Sequence, residues 1–137
     1  MGFLFADITL KNLRDKIKAE EGLINKPEVR QKTVQAMVDT GARTLVINET
    51  LRQELGLELT EQRRATLANN GSVVCYYSEP VEIHWKNRFC TVQALVLQET
   101  SDVLLGAIPL EDMDLIVDPA RNELVGAHGD EVVAIIN

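Results

Sequence analysis

The sequence predicts an all-β protein, a closed or partly closed β-barrel with one or two short helices, built as one domain over residues 1–137. Three observations point there. Apolar and polar residues alternate over many short stretches, as strands with one buried face require. Turn-forming residues such as Gly56, Asn70-Gly71 and Asp118-Pro119 separate those stretches. Helical spacing is confined to brief segments. Many short strands with few helices have to pack or close upon themselves.

In chain order, residues 3–10 read as the first strand, with Leu4, Ala6, Ile8 and Leu10 facing the core. Residues 11–29 are charged and contain Gly22 and Pro27. They are long for a loop, and residues 15–20 are a candidate helical turn. Residues 30–39 form the next strand, with Val34, Ala36 and Val38 on one face. Thr44 to Ile47 is a short strand, followed by Asn48 as an N-cap, a helix over 49–55 and Gly56 as its stop. Asn70-Gly71 lies between two β-type runs and signals a hairpin.

Pro80 is expected to break the run that follows. Val81, Ile83 and Trp85 then alternate, a turn falls at 86–88, and Cys90, Val92, Ala94 and Val96 face opposite to Thr91, Gln93, Leu95 and Leu97. His84 on this hairpin is expected to face solvent. Residues 98–102 are a polar loop before the apolar run Val103-Leu104-Leu105-Gly106. A short helix follows, with Pro109 at its first position and Glu111 and Asp112 in its first turn. Two strands flank the turn at 118–122, and residues 132–136 are an unbroken apolar β-type run.

Composition removes several function classes. A chain of 137 residues with 45% hydrophobic content can bury a real core. The net charge of −7 gives no electrostatic support for binding nucleic acid or an anionic membrane. No apolar run approaches a membrane span, and the start lacks the basic and apolar regions of a signal peptide. Ala6 stands where a myristoylation site wants Ser or Thr. The expectation is a cytoplasmic protein whose two cysteines, Cys75 and Cys90, are reduced and half-buried; they lie on different strands, which allows proximity. His84 and His128 are isolated and no Cys/His set has ligand spacing, so neither metal nor cofactor is expected. Phosphate-binding glycine loops and nucleophile elbows are also missing from the sequence.

The chemistry concentrates at Asp39-Thr40-Gly41-Ala42, which ends the apolar strand Val34 to Val38. A carboxylate there must be solvated, hydrogen-bonded or paired. Gly41, without a Cβ, lets the backbone fold back and offer N–H groups to it, and Thr40 adds a hydroxyl that donates and accepts. Two such turns face to face would put two carboxylates about 3 Å apart, sharing one proton. The ionised member could take a proton from water while the other donates to a peptide carbonyl.

Asp39-Thr40-Gly41-Ala42 after Ala36-Met37-Val38 resembles the active-site motif of the aspartic proteases. The chain length and single motif resemble the retropepsin branch, and residues 38–56 are similar to its small prokaryotic single-domain members. That resemblance implies the retropepsin-like barrel over most of the chain, acting as a symmetric dimer. It implies Asp39, Thr40 and Gly41 as catalytic, with Ala42, the hairpin tip Asn69, Asn70, Gly71 and Ser72, and Leu105 and Gly106 at the substrate site. The hairpin would be the flap over substrate, and the strand of Leu105 and Gly106 would cross beneath the catalytic loop. Chain termini would pair between subunits.

Some positions depart from the viral pattern. Arg43-Thr44 replace acidic residues, Ala107 follows Gly106 where Arg or Asn is frequent, and the hairpin tip is less glycine-rich. Ala42 lacks the hydroxyl that follows the Gly in many acid-working two-domain relatives, so activity is expected at mildly acidic to near-neutral pH.

No second Asp-Thr-Gly or Asp-Ser-Gly occurs in the chain, and a dyad therefore requires a homodimer. The leading expectation is an aspartic endopeptidase acting on a peptide or protein substrate, with no nucleic-acid or membrane partner. The alternative is a non-catalytic peptide-binding or dimerisation module on the same fold. A third is a monomeric β-protein whose Asp39 only caps a turn.

Overall fold

The structure is a computed structural model that describes residues 3–98 and 102–136. It contains β1 (Phe5–Asn12), α1 (Leu13–Glu20), a 3-10 turn at Lys26–Glu28, β2 (Gln31–Val38), β3 (Leu45–Asn48), α2 (Glu49–Leu55), β4 (Leu59–Thr66) and β5 (Ser72–Trp85). The remainder is β6 (Arg88–Leu97), β7 (Val103–Leu105), α3 (Ala107–Asp112), β8 (Leu115–Asp118) and β9 (Glu123–Gly126).

Seven strands form one sheet in the order β1-β2-β7-β3-β6-β5-β4. A further pairing between β1 and β5 closes six of them into a barrel and leaves β4 outside as an edge. β8 and β9 form a separate two-stranded sheet. The expected all-β barrel with few short helices is what the chain forms. Its interior collects the alternating apolar residues: Ile8 and Leu10 of β1, Ala36 of β2, Ile47 of β3, Val81 and Ile83 of β5, Ala94 of β6 and Leu105 of β7. Among the described residues, no helix is long and apolar enough to cross a membrane.

The first strand is shifted two residues toward the C-terminus of its expected span, and Asn12 explains the shift. Its side chain is fully buried, accepts from the Asp15 N–H at 3.1 Å to start α1, and donates to the Leu55 and Gly56 carbonyls at 2.9 and 3.3 Å. One residue therefore ends β1, caps α1 and ties both to the end of α2. The candidate helical turn at 15–20 is a full helix from Leu13 to Glu20. It lies over the outer face of β5, where Glu82 is only 2% exposed and its carboxylate accepts from Lys16 Nζ at 2.7 and 2.9 Å. His84 also bonds Glu82 and stacks on Phe89, so it is half-buried where a solvent-facing residue was expected.

The short helix α2 forms over the expected residues. Asn48 Oδ1 accepts from the Leu51 N–H at 2.7 Å, and Gly56 ends the helix with φ 64°. Pro80 does not end its strand. β5 runs through it, and the register against β6 shifts between Tyr77 and Pro80. A bulge places the residue that cannot donate where the ladder is already interrupted. Ser78 satisfies the backbone there: its hydroxyl accepts from the Ala94 N–H at 3.1 Å, and its carbonyl accepts from Gln93 Nε2 at 3.2 Å.

Three other expectations need correction. α3 begins at Ala107, so Pro109 is its third residue, and Glu111 and Asp112 lie in its last turn. The proline is tolerated because the first four N–H groups of a helix have no partner inside it. Residues 132–136 form no strand in the single chain, since no strand among the described residues pairs with them. Cys75 and Cys90 are free and buried but not close: Cys90 pairs with Ile83, which is about 26 Å along β5 from Cys75 at the usual rise per residue. Burial pushes the Cys90 thiol up to about 12.

Candidate active site

β2 delivers Asp39 to the surface at the end of a strand whose Val34, Ala36 and Val38 pack on the core. The following loop, residues 39–44, is built almost entirely by backbone. Asp39 N–H donates to the Leu105 carbonyl at 3.0 Å, and the Ala42 N–H donates to the Asp39 carbonyl at 3.1 Å. The carboxylate is half-exposed, and its Oδ1 accepts from the Gly41 N–H at 2.9 Å. Gly41 is not in a left-handed conformation. Its requirement is space, since a Cβ would stand 3.1 Å from Asp39 Oδ1. Thr40 is exposed, with its side chain free to meet another surface.

β7 crosses beneath this loop. Leu105 pairs with Val38 on one side and Leu45 on the other, which are the residues that enter and leave the loop. Gly106 then packs so tightly that a Cβ would lie 2.3 Å from the Thr44 carbonyl oxygen and 2.6 Å from that of Ala42. The first N–H groups of α3 take the loop's carbonyls: Ala107 N–H donates to Ala42 O at 2.8 Å and Ile108 N–H to Arg43 O at 2.9 Å. Donors that are unpaired at every helix start thus hold the loop from below. Leu105 is fully buried and Gly106 is buried too, so in the single chain both support the loop and offer little surface to a ligand.

The hairpin of β4 and β5 places Asn69, Asn70, Gly71 and Ser72 at its end, as expected. The turn is wider than a two-residue Asn-Gly turn. Leu67 N–H donates to Gly71 O at 2.8 Å, Asn70 N–H to Leu67 O at 3.0 Å, and Gly71 N–H to Asn69 Oδ1 at 2.9 Å. Only Asn70 adopts a left-handed conformation, with φ 65°. Among the described residues, no hydrogen bond joins this tip to the Asp39 loop.

Sequence reasoning missed the apolar face of the hairpin. Leu59, Leu67, Val74 and Tyr76 are each 39–48% exposed, and with Val96 and Leu97 of β6 they line a groove of about 780 Å³. The run Val73-Val74-Cys75-Tyr76-Tyr77 carried the signal, because apolar residues on both faces of an edge hairpin ask for a partner. A smaller polar groove of about 310 Å³ runs from Arg43 and Thr44 to Arg63, Tyr77 and Gln93.

Residues 25–107, more than half of the chain, match the family described as aspartyl protease, and the chain belongs to that family. A crystal structure of a retropepsin-like aspartic protease from Rickettsia conorii has the same fold, with a TM-score of 0.53 and 17% sequence identity over 85% of this chain and 77% of that one. No curated protein matches the chain. Family and fold agree: an aspartyl protease family member with a retropepsin-like barrel.

Proposed function

We propose that the chain is an aspartic endopeptidase that works as a homodimer, with Asp39 of each copy forming the catalytic dyad. The observation that carries this is the Asp39 loop itself. Its half-exposed carboxylate is held by a backbone N–H and supported from beneath by Leu105, Gly106 and the start of α3. A carboxylate that merely capped a turn would not need such a support. One motif per chain supports the dimer, because two like carboxylates sharing a proton are needed. The ionised Asp39 removes a proton from water, the protonated one donates to the peptide carbonyl oxygen, and Thr40 ties the two loops together. The hairpin tip, Asn69 to Ser72, covers the bound peptide. Its exposed apolar face suits a peptide or protein substrate with apolar side chains.

The same apolar groove would serve a non-catalytic peptide-binding module. A peptide-library digest with wild type and Asp39→Asn side by side separates the two. Cleavage by wild type alone supports the peptidase; no cleavage, or equal cleavage by both, removes it.

A further inference from the structure

The polar groove begins beside the Asp39 loop, at Arg43. This is the fourth residue after Asp39, and four residues of chain span at most about 14 Å. Its backbone is fixed. The Arg43 carbonyl accepts from the Ile108 N–H at 2.9 Å, and Thr44 next to it is buried, with its hydroxyl donating to the Gln93 carbonyl at 3.2 Å. The Arg43 side chain is exposed, and among the described residues its guanidinium forms neither an ion pair nor a hydrogen bond. Acidic residues outnumber basic ones 21 to 14 in the chain, yet none of the described ones is placed to pair with it.

Arg63 of β4 lines the same groove of about 310 Å³. Its guanidinium carbon lies 5.3 Å from the Tyr77 ring centroid, and the ring face orients the planar group. Two acids also line the groove. Glu61 reaches Arg63 at 3.1 Å, but the two side chains are 63% and 53% exposed, and such a pair contributes little and exchanges readily. Asp112 of α3 is exposed and pairs with neither arginine. The charges balance over the groove as a whole; what Arg43 lacks is a carboxylate of its own. The polar and apolar grooves share β4, β5 and β6, with Arg63, Tyr77 and Gln93 on the first and Leu59, Tyr76 and Val96 on the second. An extended peptide rises about 3.3 Å per residue, so the span from Asp39 to Arg43 corresponds to about four of its residues.

We propose that Arg43 is a specificity-determining residue, which with Arg63 receives the carboxylate of a substrate Asp or Glu within about four residues of the cleaved bond. This rests on the peptidase reading above and names the substrate class of that site. A guanidinium meets a carboxylate as a fork of two charge-assisted N–H···O bonds, which a neutral amide cannot match. In a two-fold dimer each copy brings its own Arg43, so an acidic residue is favoured on both sides of the cleaved bond. The groove is open to solvent, and added salt screens the attraction.

The test is digestion of a random peptide library by the full chain, followed by kcat/KM on matched peptides carrying Glu, Gln or Lys at the selected position. Wild type is compared with Arg43→Glu and with the double variant Arg43→Gln, Arg63→Gln. The double variant removes only charge from two exposed side chains and stands in if Arg43→Glu fails to fold. Wild type should favour Glu over Gln by about tenfold or more in kcat/KM, and that ratio should shrink between about 0.1 and 1 M salt. Arg43→Glu should favour Lys instead, and the double variant should show no preference. A merely structural role for Arg43 would lower cleavage of all three peptides alike and leave their ratios unchanged. Wild-type cleavage without an acidic preference, or a preference that survives in both variants, overturns the proposal while leaving the peptidase reading intact. A wild type that cleaves no peptide overturns the peptidase reading, and the proposal with it.

Discussion

Gly106 has no room for a side chain. The backbone atoms of Thr44 and Ala42 around it are held by β7 and α3 and cannot rotate away as a side chain would. Gly106→Ala should cost about 1–3 kcal/mol in urea unfolding, and it should displace the Asp39 loop, so activity should fall further than stability. Asp39 behaves in the opposite way. It is half-exposed, and an amide oxygen at the same place can still accept from Gly41 N–H. Asp39→Asn should change stability by less than about 0.5 kcal/mol, while cleavage falls by about 10³-fold or more. A variant that keeps its activity would exclude the dyad. Ala42→Ser should move the activity profile toward acid, because a hydroxyl beside the loop favours the ionised carboxylate; displacement toward alkali would show that account to be mistaken. At this scale the sequence was informative. Asp39, Gly41, Asn48 and Gly56 act on groups two or three residues away, and their chemistry is local. The crowding at Gly106 involves residues more than sixty positions earlier, and only its place after Leu105 hinted at it.

The elements were legible where alternation or caps marked them and illegible where a distant partner decided. The cap at Asn48 was visible in the sequence, and its removal in Asn48→Ala should cost about 1 kcal/mol, read from chemical denaturation. The full extent of α1 was not visible, because Asn12 caps it while bonding the end of α2, and Glu82 is buried only because α1 lies over it. Residues 132–136 have strand composition but no ladder among the described residues of the single chain, because composition marks a segment that can pair and not the partner it pairs with. The hairpin offers a dynamic test. β4 is an edge strand paired only with β5, and nearly all residues from Glu58 to Val74 are exposed. Its tip amides should exchange orders of magnitude faster than those of β7. Equal protection would remove the covering role assigned to Asn69 through Ser72.

For the molecule as a whole, acid is the condition that should undo the fold. Asp15 receives Arg30 through Nε at 2.7 Å, Nη2 at 2.9 Å and the backbone N–H at 3.0 Å, and these hold its carboxyl below the usual range. The Arg52 guanidinium does the same for Glu49. Burial would raise Glu82, but hydrogen bonds from Lys16 and His84 outweigh it and leave the carboxyl lowered. Each is depressed in the folded state, so its contribution is complete above the unfolded carboxylate range and disappears as pH falls through the folded value. Stability should be level near neutrality and decline below about pH 4. Asp15→Asn should cost about 2 kcal/mol at neutral pH and flatten that decline, since the unpaired Arg30 loses charge-assisted bonds. Urea titrations of both proteins at several pH values check it; an unchanged acid slope would mean the Asp15 clamp carries none of the dependence.

The bulge at Pro80 has a mechanical meaning. β5 is one continuous strand of 14 residues, half in the barrel wall against β1 and β6 and half in the hairpin against β4. The interruption between Tyr77 and Pro80 falls at the junction, with its backbone already satisfied by the side chains of Ser78 and Gln93. The hairpin is then a lever arm and the bulge its fulcrum: beyond it Tyr76 and Tyr77 are the residues still paired with β6, so a tilt of the outer half should disturb two pairs of the ladder and leave the wall from Pro80 onward intact. Pro80, with no N–H to give, keeps the ladder from sliding through the pivot.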